Sequence, residues 1–123
     1  RMVDLKRYKS MEIMNLPRGC GKTTNIIIEA VKTDYPVIVG TKSQKRDLEY
    51  CAEKITNKHI SIYTVEEFCD DDFWRGKIDF KPKKVLIDEL PFVLNYLLNA
   101  ECEMATMTSK SLEEYYAHRD ENI

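Results

Sequence analysis

Leu16-Pro17-Arg18-Gly19-Cys20-Gly21-Lys22-Thr23-Thr24 is the stretch that decides the fold. Before it stands a short apolar run, Met11-Glu12-Ile13-Met14, which reads as a strand. After it, from about Lys22 to Lys32, Ile26, Ile27, Ala30 and Val31 form a broad apolar face, which reads as a helix. A glycine-rich turn between strand and helix can aim successive backbone N–H groups inward. The helix N-terminus adds partial positive charge beneath them. Such a loop suits a triphosphate. Lys22 would reach its β- and γ-phosphates, and the Thr23 hydroxyl would bind magnesium. The pattern G-x-x-x-x-G-K-[ST] is departed from once, because Leu16 stands where the leading glycine belongs. The candidate nucleotide-binding residues are Pro17, Arg18, Gly19, Cys20, Gly21, Lys22, Thr23 and Thr24. Cys20 reads either as a small filler or as a thiol activated by the helix N-terminus and Lys22, whose oxidation would block phosphate entry.

Further along, β-rich runs alternate with helical patterns, the mark of a parallel sheet covered by helices. Pro36-Val37-Ile38-Val39-Gly40 is the second expected strand, and Leu48, Cys51, Ala52 and Ile55 give a second helix. Ile60-Ser61-Ile62-Tyr63 is the third strand, with a short helix after it. Thr64 and Glu67 can form a capping box there, and Thr41 or Ser43 can cap the second helix. Lys84-Val85-Leu86-Ile87 is the fourth strand, apolar after its lysine and so expected at the centre of the sheet. Pro91 stands where a helix can begin. Phe92-Val93-Leu94-Asn95-Tyr96-Leu97-Leu98 is apolar on nearly every side. Either Tyr115 and Tyr116 cover it, or a protein partner or second copy does. Glu103-Met104-Ala105-Thr106-Met107-Thr108 is a weaker fifth strand, and Ser111-Leu112-Glu113-Glu114 opens a last helix or tail over 111–123.

Val85-Leu86-Ile87-Asp88-Glu89 is an apolar run that ends in paired carboxylates. Alone it is a weak signal. About 65 residues after Gly-x-Gly-Lys-Thr it gains meaning. Asp88 would hold the hydrated magnesium with Thr23. Glu89 would orient and deprotonate the attacking water, with Lys22 stabilising the phosphates.

The 123 residues suit one domain, 1–123, with a basic lead-in over 1–10. Hydrophobic content of 43% fits a soluble core, and no apolar run approaches the ~20 residues of a membrane span. The charged start, Arg1 to Ser10, is unlike a signal peptide. Cys20, Cys51, Cys69 and Cys102 form no Cys-x-x-Cys pair, so a reducing, cytoplasmic setting is expected.

With both motifs in hand, the chain resembles the first RecA-like lobe of superfamily 1 and 2 helicases and related P-loop ATPases. Gly19 to Thr23 matches their first motif and Asp88-Glu89 their DE pair. Val39-Gly40-Thr41-Lys42-Ser43 resembles a strand end that touches nucleic acid in that family. Tyr63-Thr64-Val65-Glu66-Glu67-Phe68 is similar to the threonine–aromatic segment that follows. Met104 to Ser109 resembles the polar strand end that senses the γ-phosphate, through Thr106 or Thr108. The short plan also resembles small single-domain P-loop proteins of tailed phages, which would imply the host cytoplasm. The resemblance implies a three-layer α/β P-loop NTPase fold with about five mostly parallel strands. Their RecA-like (ASCE) order puts the strand ending at Thr108 between those ending at Met14 and Ile87. It implies ATP and Mg2+ as ligands.

In a parallel sheet the ligand site lies at the carboxyl ends of the strands. Arg75, Lys77, Lys81, Lys83 and Lys84 precede the fourth strand, and Lys6, Arg7 and Lys9 the first, so both basic runs belong to the far edge. Glu66, Glu67, Asp70, Asp71 and Asp72 follow the third strand, on the nucleotide side. Nucleic acid is therefore a partner that charge does not support at that edge. A helicase motor needs a second lobe with an arginine, and Arg18 is expected on the outer wall of its loop, facing a neighbouring subunit or solvent. The open readings are a slow ATPase, a nucleotide-binding regulatory or interaction module with little turnover, and a nucleic-acid-binding accessory protein.

Overall fold

The computed structural model describes residues 11–19 and 21–107. They divide into a unit spanning Leu16–Glu103 and a second one that takes in 11–15 and 104–107. The second unit has no helix or strand among its described residues.

The larger unit is built around Val37-Ile38-Val39. Three β-branched residues in a row favour an extended backbone, because their χ1 freedom is restricted in helices and their side chains pack well on a pleated surface. They form β1 (Val37–Val39), with exposures of 0%, 3% and 0%. β2 (Ile62–Thr64) runs parallel on one side and β3 (Leu86–Ile87) parallel on the other, giving the order β2-β1-β3. Val37 pairs with both Ile62 and Leu86, and Ile38 with Tyr63 and Ile87. The ladder continues past the strand ends: Leu86 N–H donates to Pro36 O at 2.9 Å and Asp88 N–H to Ile38 O at 3.0 Å.

Alternation along β1 divides the core. Val37 and Val39 face α1 (Lys22–Thr33) and α2 (Lys42–Ile55), meeting Ile27, Ala30, Leu48 and Ala52. Ile38 faces the other way, with Val65 of α3 (Val65–Cys69) and Val93 of α4 (Leu90–Leu98). Helices thus cover both faces of a small parallel sheet, as the α/β reading expects. Each of the buried Val, Ile and Leu side chains contributes roughly 1.5–3 kcal/mol relative to exposure.

Two expectations are corrected. Of the five expected strands, three form among the described residues; 11–14 and 103–107 are exposed and not extended into a ladder. Met-Glu-Ile-Met and Glu-Met-Ala-Thr-Met contain few β-branched residues, unlike β1, so local preference for a strand is weak there. The expected insertion of a strand ending at Thr108 has no counterpart among the described residues, and Thr108 itself lies outside them. Second, among the described strands β1 is central, while β3 sits at an edge with half-buried residues. An apolar run reports cover on both faces, which helices supply to an edge strand too.

Helix starts follow the sequence closely. The Thr41 hydroxyl accepts from Gln44 N–H at 3.1 Å and caps α2, while Ser43 lies inside the helix. Thr64 and Glu67 form the full capping box of α3: Thr64 Oγ1 accepts from Glu67 N–H at 3.1 Å, and Thr64 N–H donates to Glu67 Oε1 at 3.0 Å. Lys45 Nζ donates to the same carboxylate at 3.0 Å, tying α2 to α3. Burial alone would raise the Glu67 pKa; the Thr64 N–H and the Lys45 ammonium outweigh it and hold the carboxyl below its ordinary value. A helix this short does not stand by itself. Trp74, 6% exposed, also anchors it by donating its indole N–H to Phe68 O at 3.0 Å. The last expected helix, with Tyr115 and Tyr116, lies outside the described residues. No helix among the described residues is long and apolar enough to cross a membrane.

Thr64→Ala removes the hydroxyl cap at a buried position and should destabilise the protein by about 1 kcal/mol, read as a lower urea midpoint at unchanged slope. Glu67→Gln should cost less, since the amide oxygen can still accept from Thr64 N–H.

Candidate functional site

Gly19 and Gly21 have φ of 83° and 85°, where any side chain is strained. These left-handed turns let the chain fold into α1, with Gly21 as its N-cap and no side chain capping it. The first N–H groups of α1 are therefore left to whatever binds in front of them. The adjoining depression, about 330 Å³, is lined by Arg18, Gly19, Gly21, Lys22, Thr23, Thr24 and Glu89. Pro17 is exposed just before it, and Cys20 lies outside the described residues.

The carboxylates reach this place from the other end of the chain. β3 ends at Ile87, the Asp88 N–H is fastened to Ile38 O, and Glu89 then takes a left-handed backbone, φ 58° and ψ 68°, as N-cap of α4. A left-handed residue other than glycine costs roughly 1–2 kcal/mol. The strain turns the chain sharply from sheet to helix. Lys22 Nζ then lies 3.3 Å from Glu89 Oε1. Both side chains are partly exposed, 31% and 43%. So the fold joins the two motifs, which are 67 residues apart.

Asp88 is half-buried beside this pair. Burial first, and then the Glu89 charge, push its carboxyl above the ordinary 3.8; Lys22 and the Glu89 N–H pull it back in part. Among the described residues no group of three or more His, Cys, Asp or Glu side chains gathers into a metal site. Thr23 and Asp88 offer one hydroxyl and one carboxylate, both hard oxygen donors. That set fits a magnesium ion whose remaining ligands are water and phosphate oxygens rather than protein.

Arg18, expected on the outer wall of the loop, borders the depression instead and forms no ion pair with a described residue. The acidic run is less bare than its sequence implies, since Lys45 holds Glu67 and Arg75 Nη2 lies 2.7 Å from Asp72 Oδ1. The basic run is not confined to the far edge either. Lys84 stands over the Tyr35 ring before β1, but Lys81 stands 4.7 Å from the Phe68 ring centroid in α3.

Comparison of the chain with protein-family models, with curated proteins and with solved structures finds no match.

Two features of this end of the sheet escaped the sequence reading. Gly40 is one: a Cβ there would lie 2.7 Å from Phe92 Cβ, so α4 packs directly on the end of β1. The Lys22–Glu89 contact is the other, and no local pattern announces it.

A raised Asp88 pKa means that the folded protein holds this proton more tightly than the unfolded chain. Its stabilising contribution is present below pH 3.8 and is lost as pH rises through the folded value. Asp88→Asn should therefore gain in melting temperature relative to the parent between pH 3.5 and pH 7. Thermal melts of both proteins at each pH check the sign.

Proposed function

We propose that this protein binds a nucleoside triphosphate, ATP in the first instance, together with magnesium, and hydrolyses it slowly. The observation that carries the reading is the meeting of Lys22 and Glu89 at 3.3 Å, beside the uncapped start of α1. Chance glycine turns and chance carboxylate pairs have no reason to converge.

In this reading the N–H groups of the Gly19–Thr23 turn and of the first turn of α1 receive phosphate oxygens. Lys22 pairs with the β- and γ-phosphates. Thr23 and Asp88 hold the magnesium, which when bound neutralises charge on the phosphate oxygens. Glu89 orients the attacking water and takes its proton. The nucleotide chemistry, and cysteines whose spacing forms no Cys-x-x-Cys pair, belong to a cytoplasmic setting. The exposed Phe92, Leu97 and Leu98 of α4 support a protein contact there, with a second copy or another chain. A second reading, a nucleotide-binding module with little turnover, is favoured by the Lys22 contact itself, which occupies the candidate base.

ATP with magnesium should raise the melting temperature, since a ligand at ~100 times its dissociation constant adds about 2.7 kcal/mol. Lys22→Ala should abolish the shift; equal calorimetric affinity in parent and variant would remove the assignment.

Turnover should be on the order of 10⁻² per second or less, as for P-loop proteins lacking an added arginine. Phosphate release across a hundredfold range of protein concentration checks it. A rate rising with concentration favours completion by a second copy. A rate at background, with binding intact, favours the module.

A further inference from the structure

We propose that the edge of the sheet opposite the nucleotide depression binds single-stranded nucleic acid, with lysines pairing to phosphates and Phe80 stacking on a base. The site is separate from the phosphate loop and does not rest on the nucleotide reading. It is also not the strand end, Val39 to Ser43, at which the resemblance puts nucleic acid on the nucleotide side.

The parallel sheet builds the site. Residues that precede parallel neighbours share one edge, and adjacent strands lie about 4.8 Å apart. The pairing fixes this edge: Val37 N–H donates to Ser61 O at 2.9 Å, and Leu86 N–H to Pro36 O at 2.9 Å. The stretches 33–36, 57–60 and 77–84, distant in sequence, thereby lead into the sheet from the same side. They carry five lysines, Lys58, Lys77, Lys81, Lys83 and Lys84, against two acids, Asp34 and Asp79, in a chain of net charge −2. Charge is screened over about 8 Å in physiological salt, so an approaching polyanion meets this local excess rather than the net charge. Lys58, Lys77, Lys83 and Lys84 are exposed and form no ion pair with a described residue.

Aromatic rings stand among these cations. Phe80 is 81% exposed, more than any other described aromatic residue. Its N–H donates to Lys77 O at 2.8 Å in a 3-10 turn, Ile78–Phe80, which sets it in the chain between Lys77 and the Lys83–Lys84 pair. Lys84 Nζ stands 5.8 Å from the centroid of a second ring, Tyr35. An exposed ring with lysines on either side suits a single strand, whose bases stack while its phosphates pair with cations. A duplex hides its base faces and would leave the ring idle. An anionic membrane would use the lysines. Yet Phe80 is the only large exposed apolar side chain described on these stretches, too little for the apolar face that holds a helix in a membrane surface.

The test is fluorescence anisotropy of a labelled oligothymidylate titrated with the protein over a range of salt concentrations. The parent should bind it, and more weakly as salt rises. Lys84→Gln should lower the slope of log affinity against log salt by about 0.7, the value of one phosphate contact on a single strand. Phe80→Ala and Phe80→Leu should each weaken binding by about fivefold or more at unchanged slope, because leucine keeps apolar bulk without a stacking face. Lys42→Gln, an equal charge change at the nucleotide edge, should leave affinity unchanged. All three positions are exposed, so the variants keep the fold, which circular dichroism melts check. No binding of the oligonucleotide at low salt overturns the proposal, and binding to phosphatidylserine vesicles in that case assigns the edge to a membrane. Duplex bound as tightly as single strand, or Phe80→Leu as tight as the parent, overturns it by showing charge or apolar contact without stacking. A loss with Lys42→Gln equal to that with Lys84→Gln moves the contact to the nucleotide edge and overturns it as well. Each outcome reads the same whether or not MgATP binds.

Discussion

Burial of β1 on both faces is the constraint on which the larger unit depends. Val37 and Val39 look toward α1 and α2, Ile38 toward α3 and α4, and both edges of the strand are taken up by parallel ladders. Every helix of the unit is held by packing on this strand or on its neighbours. No helix has to be stable alone, and α3 could not be. The same strand sets the height of the functional edge. Its end meets α4 at Gly40, and its Ile38 carbonyl fixes the Asp88 N–H. Where β1 stops, the loops that carry the charged residues begin.

The edge so defined is less comfortable than the core. It holds an N-cap glycine without a side-chain cap, a glutamate in a left-handed conformation and a half-buried aspartate with a raised pKa. Each is unfavourable for folding, and they cluster within one depression and the residue beside it. Elsewhere the polar groups are well used: Thr41 and Thr64 cap helices, Lys45 holds Glu67, and among the described residues no buried side-chain polar atom lacks a partner. Left-handed backbone also occurs at Asp34 and Asn99, both helix C-caps, so what sets this edge apart is the uncapped helix start together with the raised Asp88 pKa.

Charge acts here over short distances rather than as broad faces. The acidic run after β2 looked from its composition like a barrier to any polyanion. In the fold, Lys45 and Arg75 each engage one of its carboxylates, and Lys81 leans over the Phe68 ring of the same helix. Sorting residues by which strand they precede or follow assumed that side chains stay near their own edge. Long lysine side chains do not, because their stems pack along apolar surface while the ammonium seeks a carboxylate or a ring.

The sequence by itself determined what is local. A run of β-branched residues gave β1 its preference for an extended backbone, and glycine spacing made the turn before Lys22. Hydroxyls at Thr41 and Thr64 set helix starts, because a cap needs only a neighbour three residues on. Apolar spacing made the helices and their inward faces. What depends on partners distant in sequence was decided by tertiary structure. Whether 11–14 or 103–107 becomes a strand turns on finding a ladder, and their weak preference does not settle it. Which strand is central depends on the neighbours that pair with it, and β1 rather than β3 has them on both sides. The approach of Phe92 to Gly40 and of Lys22 to Glu89 follows from how α1 and α4 meet the end of the sheet. Sequence named the residues capable of the chemistry; three-dimensional packing placed a lysine and a glutamate, 67 residues apart, within reach of each other.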